Sequence, residues 1–140
     1  MIDVSPKKKT KRTAVAEGRI CLDERVVGKI RNFEVPKGDV LKTSEVAGLL
    51  AMKKTPSLIP HCHPVGITKG KILFFTEKNS VRVESEVEGI DRTGFEMEAL
   101  AGVSVALLTI YDMCKVFGCD MRIEGIRLLK KTGGKKDINV

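Results

Sequence analysis

Residues 107–116 contain a single acidic side chain, Asp112, and a single basic one, Lys115, among mostly apolar neighbours. Residues three positions apart share a helix face, so the two side chains can pair with each other or converge on one ligand. A carboxylate in apolar surroundings is costly unless it has a partner, and perturbed carboxylates concentrate at catalytic sites. The pattern indicates either a proton-transfer centre or a structural ion pair. Glu98 precedes Asp112 by fourteen positions, nearly in line with it and about 21 Å away along a helix axis.

A second group of chemically active side chains lies in residues 58–64, where two prolines favour an extended loop. His61 and His63 are the only histidines of the chain, and Cys62 stands between them. Histidine suits proton transfer near neutral pH and also binds metals. Adjacent residues cannot all converge on one tetrahedral ion, and no spacing elsewhere indicates the further ligands that zinc needs. We therefore predict no metal site here.

Three lysines, Lys37, Lys131 and Lys135, lie in glycine-flanked loops. Residues 132–136 read Thr-Gly-Gly-Lys-Lys, which superficially suggests a phosphate loop. The segment lacks the G-x-x-x-x-G-K-[ST] spacing and has no helix after it, which excludes a nucleotide P-loop. Lysine ammonium groups nevertheless bind triphosphate oxygens as point charges.

The excess of basic residues, 25 Lys and Arg against 18 Asp and Glu, is confined to the two ends of the chain. Residues 1–12 carry five basic side chains against one acid, residues 130–140 carry four against one, and the segment between them is neutral. A duplex-binding domain usually has its basic patch on the folded body, whereas two basic ends also suit a small polyanionic ligand. We interpret residues 1–11 as a flexible basic tail and residues 12–140 as a single catalytic domain.

Two other classes of function remain as alternatives. A basic nucleic-acid-binding module would use the lysine-rich ends, and its affinity would fall steeply with salt. One tyrosine, no tryptophan and a neutral body argue against it. A metal-storage or metal-sensing protein would use His61, Cys62 and His63, and would carry bound zinc when purified.

Apolar periodicity and turn signals predict seven secondary-structure elements. Strands are predicted at 13–22, 72–75, 81–88 and 121–129, and helices at 23–33, 43–54 and 96–117, the second of them ended by Pro56. In the third strand Val81, Val83 and Val87 face the core, while the charged residues between them face water. The order β-α-α-β-β-α-β favours an α+β fold with a ferredoxin-like antiparallel sheet and helices on one face.

The chain has 140 residues, 42% hydrophobic and 31% charged, which is the length and balance of one globular domain. Neither a membrane span nor a secretory signal is predicted, so we expect a cytoplasmic protein without a membrane partner. The helix at 96–117 is apolar on nearly every side, yet one sheet covers only one face, which predicts an obligate oligomer. Whether Asp112 and Lys37 of one site come from one chain or from two is left open.

Five segments stand in the order found in one known family. They are residues 37–40 (KGDV), 58–64 (LIPHCHP), 94–100 (GFEMEAL), 108–115 (LTIYDMCK) and 127–135 (RLLKKTGGK). In these motifs and their order, over residues 12–135, the chain resembles the molybdenum cofactor biosynthesis protein C family, the cyclic pyranopterin monophosphate synthases.

The resemblance implies conversion of (8S)-3′,8-cyclo-7,8-dihydroguanosine 5′-triphosphate to cyclic pyranopterin monophosphate and diphosphate by acid–base chemistry. It also implies a homohexamer, built as a trimer of dimers with active sites at the dimer interfaces. No motif calls for a cofactor, and no nucleic acid partner is expected.

The resemblance also assigns roles to individual residues. Asp112 is implied as the catalytic acid or base, with Lys115 as its neighbour. The residues implied in substrate binding are His61, Cys62, His63, Met97 and Glu98, and the basic active-site residues are Lys37, Lys131 and Arg12. Because the family usually has an apolar residue at the position of His61, His63 is the histidine expected to act.

Overall fold

The computed structural model describes residues 1–140, which form one sheet and three α-helices. The strands are β1 (Thr10–Cys21), β2 (Ile67–Thr76), β3 (Ser80–Asp91), β4 (Arg122–Thr132) and β5 (Ile138–Asn139). The helices are α1 (Glu24–Arg31), α2 (Val40–Leu58) and α3 (Glu96–Cys114), and a 3₁₀ turn at Lys115–Phe117 continues the last of them.

The strand order in the sheet is β2-β3-β1-β4-β5, and all neighbouring strands are antiparallel. Helices α2 and α3 pack against each other, and α3 contacts β1, β3 and β4. The core lies between the sheet and the helices, and it includes Val26, Val27 and Ile30 of α1. The α+β class predicted from the sequence is confirmed, and the strand order is consistent with a ferredoxin-like sheet.

Strand β3 has the alternation that its sequence predicts. Val81, Val83 and Val87 are fully buried, while Arg82 lies on the opposite face, where its guanidinium is 4.0 Å from the centre of the Phe75 ring. The period of two residues thus separates the core face of the sheet from a charged outer face.

Each predicted strand is longer in the structure than predicted, at one end or at both. β1 begins at Thr10, so Lys11 belongs to the sheet and not to the predicted tail. Thr10 pairs with Asp91 of β3, and Thr13 pairs with Thr132 at the end of β4. Lysine-rich segments have low strand propensity, so their own composition does not indicate these ends. The positions of these strand ends depend on the neighbouring strands, which supply the hydrogen-bond partners. The same holds for β5, which was not predicted.

Helix α2 continues through Pro56, where the sequence predicted its end, and that prediction was wrong. Pro56 lies in the last turn and removes only one backbone N–H donor. The helix still closes after it, because the Ile59 N–H donates to the Thr55 carbonyl at 2.9 Å. The helix also begins earlier than predicted, because the Asp39 side chain caps it by accepting from the Lys42 N–H at 3.0 Å.

Helix α3 buries one face against the sheet and leaves part of the other uncovered. Val103, Leu107 and Ile110 are fully buried, whereas Leu108 is 57% exposed. By length and hydropathy alone Glu96–Phe117 qualifies as a membrane span, a test that the core helix of a globular protein also passes. The all-round apolar character read from the sequence therefore corresponds to a core helix with one exposed apolar side in a single chain.

Gly89 of β3 stands where no side chain fits. A Cβ at this position would collide with the carbonyl oxygen of Gly66 and with the ring of Phe95. Gly66 immediately precedes β2 and follows the two histidines. The close approach of Gly89 therefore determines where the histidine-containing loop enters the sheet.

We expect Gly89→Ala to lower the free energy of unfolding by about 1–3 kcal/mol, because the backbone of Gly66 must move to admit the methyl group. The matched control is Gly28→Ala in α1, where a Cβ meets nothing within 4 Å. Alanine is favoured in a helix interior by about 0.5–1 kcal/mol, so this control should be neutral or stabilising. Urea unfolding followed by circular dichroism measures both variants. Equal stability of the two proteins would contradict the steric argument.

Candidate active site

The C-terminal end of α3 and the loop before α2 form a group of three charged side chains, Lys37, Asp112 and Lys115, here called the aspartate group. Lys37 Nζ lies 2.6 Å from Asp112 Oδ2, and Lys115 Nζ lies 2.6 Å from Asp112 Oδ1. Gly38, with a φ of 109°, gives the Lys37 loop a turn that favours glycine. All three side chains belong to one chain, which answers the question that the sequence left open for Asp112 and Lys37.

The charges of the aspartate group shift the proton affinities of its members. Hydrogen bonds from Lys115 and Lys37 lower the pKa of Asp112 to about 2, and the Asp112 carboxylate raises the pKa of Lys115. The side chain of Asp112 is 52% exposed, so it lies outside the apolar surroundings that its sequence neighbours suggested. The group presents two ammonium ions and a carboxylate to solvent, a set that can bind phosphate and transfer protons.

The other end of α3 contains a buried carboxylate. Glu98 is 1% exposed, its Oε1 accepts a hydrogen bond from Cys62 Sγ at 3.6 Å, and its Oε2 has no partner. Burial raises the pKa of Glu98. Burial and the nearby Glu98 raise the pKa of Cys62 to about 11, which keeps the thiol protonated as a donor. Met97, on the same turn, is 39% exposed. A buried oxygen without a partner is costly, and an N–H or O–H group of a ligand would satisfy it.

Glu96 begins α3 and pairs with Lys131 of β4, with 2.8 Å between Lys131 Nζ and Glu96 Oε1. Burial acts to raise the pKa of Glu96, but the Lys131 ammonium holds that pKa below its ordinary value. Glu96 was not singled out from the sequence, although it lies within the segment 94–100. The available signal was an acid in the first turn of a helix, two residues before Glu98.

Arg12 of β1 lies beside this first turn of α3. Its Nε donates to the Asp91 carbonyl at 3.1 Å and its Nη2 donates to the Arg92 carbonyl at 3.1 Å. Gly133, with a φ of 85°, turns the chain after β4 so that Gly134 approaches Arg12 Nη1. Arg12 therefore holds the end of β3 as well as placing a positive charge near Glu96 and Lys131.

Residues 59–66, here called the histidine loop, connect α2 to β2. His63 is half-buried and His61 is exposed. The Gly66 N–H donates to Asp91 Oδ2 at 2.9 Å, which fixes the end of the loop. No group of three His, Cys, Asp or Glu side chains in the chain is arranged to hold a metal ion. The metal-sensing alternative therefore gains no support from the structure.

The site residues predicted from the sequence lie in two groups at opposite ends of α3. The second, here called the glutamate group, comprises Arg12, His61, Cys62, His63, Met97, Glu98 and Lys131. Glu98 and Asp112 are fourteen residues apart in one helix, which separates the two groups by about 21 Å. A single chain does not bring them together.

The fold and these two groups define a class of protein: an α+β domain that presents carboxylates, imidazoles, a thiol and ammonium groups, a set that can bind anions and transfer protons. The chain belongs to the MoaC family, whose family model matches residues 1–134. The resemblance predicted from the five motifs is confirmed.

Three relatives illustrate the extent of the similarity. The cyclic pyranopterin monophosphate synthase of Desulfatibacillum aliphaticivorans is 49% identical over 137 residues, which cover 96% of this chain and 86% of the relative. The protein of the same name from Listeria monocytogenes serotype 4b (strain F2365) is 48% identical over 136 residues, covering 96% and 85%. That from Clostridium perfringens (strain SM101 / Type A) is 48% identical over 137 residues, covering 96% and 87%.

Glu98→Gln tests the cost of burying the Glu98 carboxylate. Burial raises the folded-state pKa of Glu98 above 4.5. The contribution of the protonated carboxyl to stability is therefore fully present below pH 4.5, and it is lost as the pH rises through the folded-state pKa. Glutamine keeps the shape without the charge. We therefore expect the variant to exceed the wild type in stability by about 1 kcal/mol at pH 8 and to equal it near pH 4. Thermal unfolding at both pH values measures the difference. A variant that is the less stable protein at pH 8 would contradict this account.

Proposed function

We propose that this chain catalyses the cyclic pyranopterin monophosphate synthase reaction of molybdenum cofactor biosynthesis. As a lyase, it converts (8S)-3′,8-cyclo-7,8-dihydroguanosine 5′-triphosphate to cyclic pyranopterin monophosphate and diphosphate. The observation that carries the proposal is the aspartate group, a carboxylate bonded on both oxygens by lysines. Membership of the MoaC family and the names of its relatives support it.

The aspartate group supplies charge stabilisation and proton transfer. Lys37 and Lys115 stabilise negative charge on phosphate oxygens as diphosphate leaves and the cyclic phosphate closes. A phosphate group that draws these ammonium ions away from Asp112 also raises the pKa of Asp112 towards its ordinary value. Asp112 can then accept and return protons during ring opening and pyranopterin formation.

The glutamate group supplies recognition and further charge. The free Oε2 of Glu98 can accept a hydrogen bond from an N–H of the guanine-derived ring, and the protonated Cys62 thiol lies beside it. We assign a proton-transfer role to His63, the half-buried histidine of the histidine loop. Lys131 and Arg12 add positive charge for the phosphates.

The active site in this proposal is shared between two subunits. The aspartate group of one chain faces the glutamate group of another, because the two groups of one chain are held about 21 Å apart by α3. Exposed apolar side chains next to Asp112, Tyr111 at 40% and Val116 at 58%, support an interface there. The assembly that we propose is a homohexamer built as a trimer of dimers.

The proposal includes a cytoplasmic location and no nucleic acid or membrane partner. All four cysteines are free, as expected for a reducing compartment. The basic nucleic-acid-binding alternative would require affinity for any polyanion that falls steeply with salt. The MoaC family match gives that alternative no support.

Incubation with the cyclised GTP derivative, followed by mass analysis of the pterin product and a diphosphate assay, tests this function. We expect Asp112→Asn to lower the rate by about 100-fold or more, the size typical for loss of a general acid–base group, while the circular dichroism spectrum stays unchanged. Asp120→Asn is the control, because Asp120 is exposed and belongs to neither group. No product from the wild-type protein would overturn the proposed function, and normal turnover by folded Asp112→Asn would overturn the role of Asp112.

Mixing two inactive variants tests the shared site. In a mixed dimer of Asp112→Asn and Lys131→Ala subunits, one of the two interfacial sites contains both native residues, so part of the activity should return after subunit exchange. Asp112→Asn mixed with Lys37→Ala should stay inactive, because both residues lie in the aspartate group of the same chain. The activity of each mixture is compared with that of the separate variants. Recovery in neither mixture, in demonstrably mixed oligomers, would place both groups of a site in one chain.

A further inference from the structure

Residues 1–9, here called the N-terminal segment, lie against the histidine loop. Arg92 Nη1 donates a hydrogen bond to the Ser5 carbonyl and lies 3.3 Å from the Lys7 carbonyl, which it also reaches as donor. The amine of Met1 lies 3.4 Å from His61 Nδ1. The segment is therefore anchored at two points and does not simply extend from β1 into solvent.

A cleft of about 620 Å³ separates the N-terminal segment from the histidine loop. Its walls include Met1, Ile2, Val4 and Lys7 from the segment, and His61 and His63 from the loop. His63 is the histidine to which the proposed function gives proton transfer. The cleft therefore adjoins the glutamate group, and one of its walls consists of residues that the proposed function does not use.

The ionisable groups of this cleft are mainly basic. Lys7 forms no salt bridge with any carboxylate of the chain, so its ammonium group is available to a ligand. The nearby carboxylate of Asp3 accepts from the Ser5 N–H at 2.9 Å and from the Ser5 hydroxyl at 3.0 Å, and these bonds lower the pKa of Asp3. A free ammonium group beside two imidazoles favours a phosphate-bearing ligand.

The anchor of the segment is also the anchor of the histidine loop. Arg12 donates hydrogen bonds to the backbone carbonyls of Asp91 and Arg92. The Asp91 carboxylate accepts a hydrogen bond from the Gly66 N–H, and the Arg92 side chain donates one to the N-terminal segment. One junction thus fixes both walls of the cleft relative to each other. The family match begins at residue 1, so the segment belongs to the matched region and is not an addition to it.

We propose that Lys7 is a further substrate-binding residue, which binds a phosphate group of the substrate in this cleft, and that Arg92 is the positioning residue that holds Lys7 there. The proposal rests on the proposed function for the identity of the substrate. It gives a defined role to one lysine of the segment that was interpreted from the sequence as part of a flexible basic tail at residues 1–11.

The test compares Lys7→Ala with Lys8→Ala, a matched change in the same segment at a residue that does not line the cleft. Two quantities are measured on the full chain: KM and kcat with the cyclised substrate, and the affinity for inorganic triphosphate by titration calorimetry. Lys7→Ala should raise KM and weaken triphosphate binding by about fivefold each, as expected for one exposed charge-assisted hydrogen bond. Its kcat should change little, and Lys8→Ala should match the wild type.

Arg92→Ala tests the positioning role. It should raise KM to the same extent as Lys7→Ala, and the double variant should lose no more than either single variant, because both changes remove the same contact. Additive losses in the double variant would overturn the role of Arg92. Equal effects of Lys7→Ala and Lys8→Ala, or no effect of Lys7→Ala, would overturn the role of Lys7. If the wild type formed no product, the proposed function would fail, and the triphosphate titration would still decide whether Lys7 binds phosphate.

Discussion

The close packing of α3 on the sheet is the constraint on which the rest of the structure depends. Gly18 of β1 lies so near the helix that a Cβ there would be 2.8 Å from the side chains of Val103 and Leu107. Gly102 of α3 is equally close to β3, because a Cβ at this position would lie 2.9 Å from Ser85 Oγ. These approaches fix the register of the helix, and a helix of this length is stiff. The two charged groups at its ends are therefore held apart, and neither can move along the sheet to meet the other.

The same helix places two carboxylates in opposite environments. Asp112 lies at an exposed end between two ammonium groups, which lower its pKa to about 2. Glu98 is buried with one oxygen unpartnered, and burial raises its pKa. Environments that separate the pKa values of two acids in this way suit the two acids to different roles. In the proposed reaction the first responds to phosphate charge and moves protons, and the second recognises a polar hydrogen of the ring.

The parts of the fold that the sequence predicts correctly depend on local periodicity. Val81, Val83 and Val87 alternate with charged residues. When one face of a strand is buried, this period of two residues assigns the valines to the buried face. The helix end predicted at Pro56 was wrong because the effect of a proline depends on its position in the helix. In the last turn a proline removes only one backbone N–H donor, so the helix continues past it. The early start of β1 at Thr10 depends on strands distant in sequence, which composition does not report.

For the candidate site, the sequence by itself determined the contact between Asp112 and Lys115, because helical periodicity places residues three apart on one face. Its motifs also determined the family. Tertiary structure alone decided that Lys37 joins Asp112 across 75 positions of the chain and that Glu96 pairs with Lys131 across 35. Such contacts form only when sheet and helices pack, so no short-range pattern encodes them. Backbone geometry alone brings Asp112 and Lys115 together, whereas the other two contacts depend on the packing of elements that are distant in sequence.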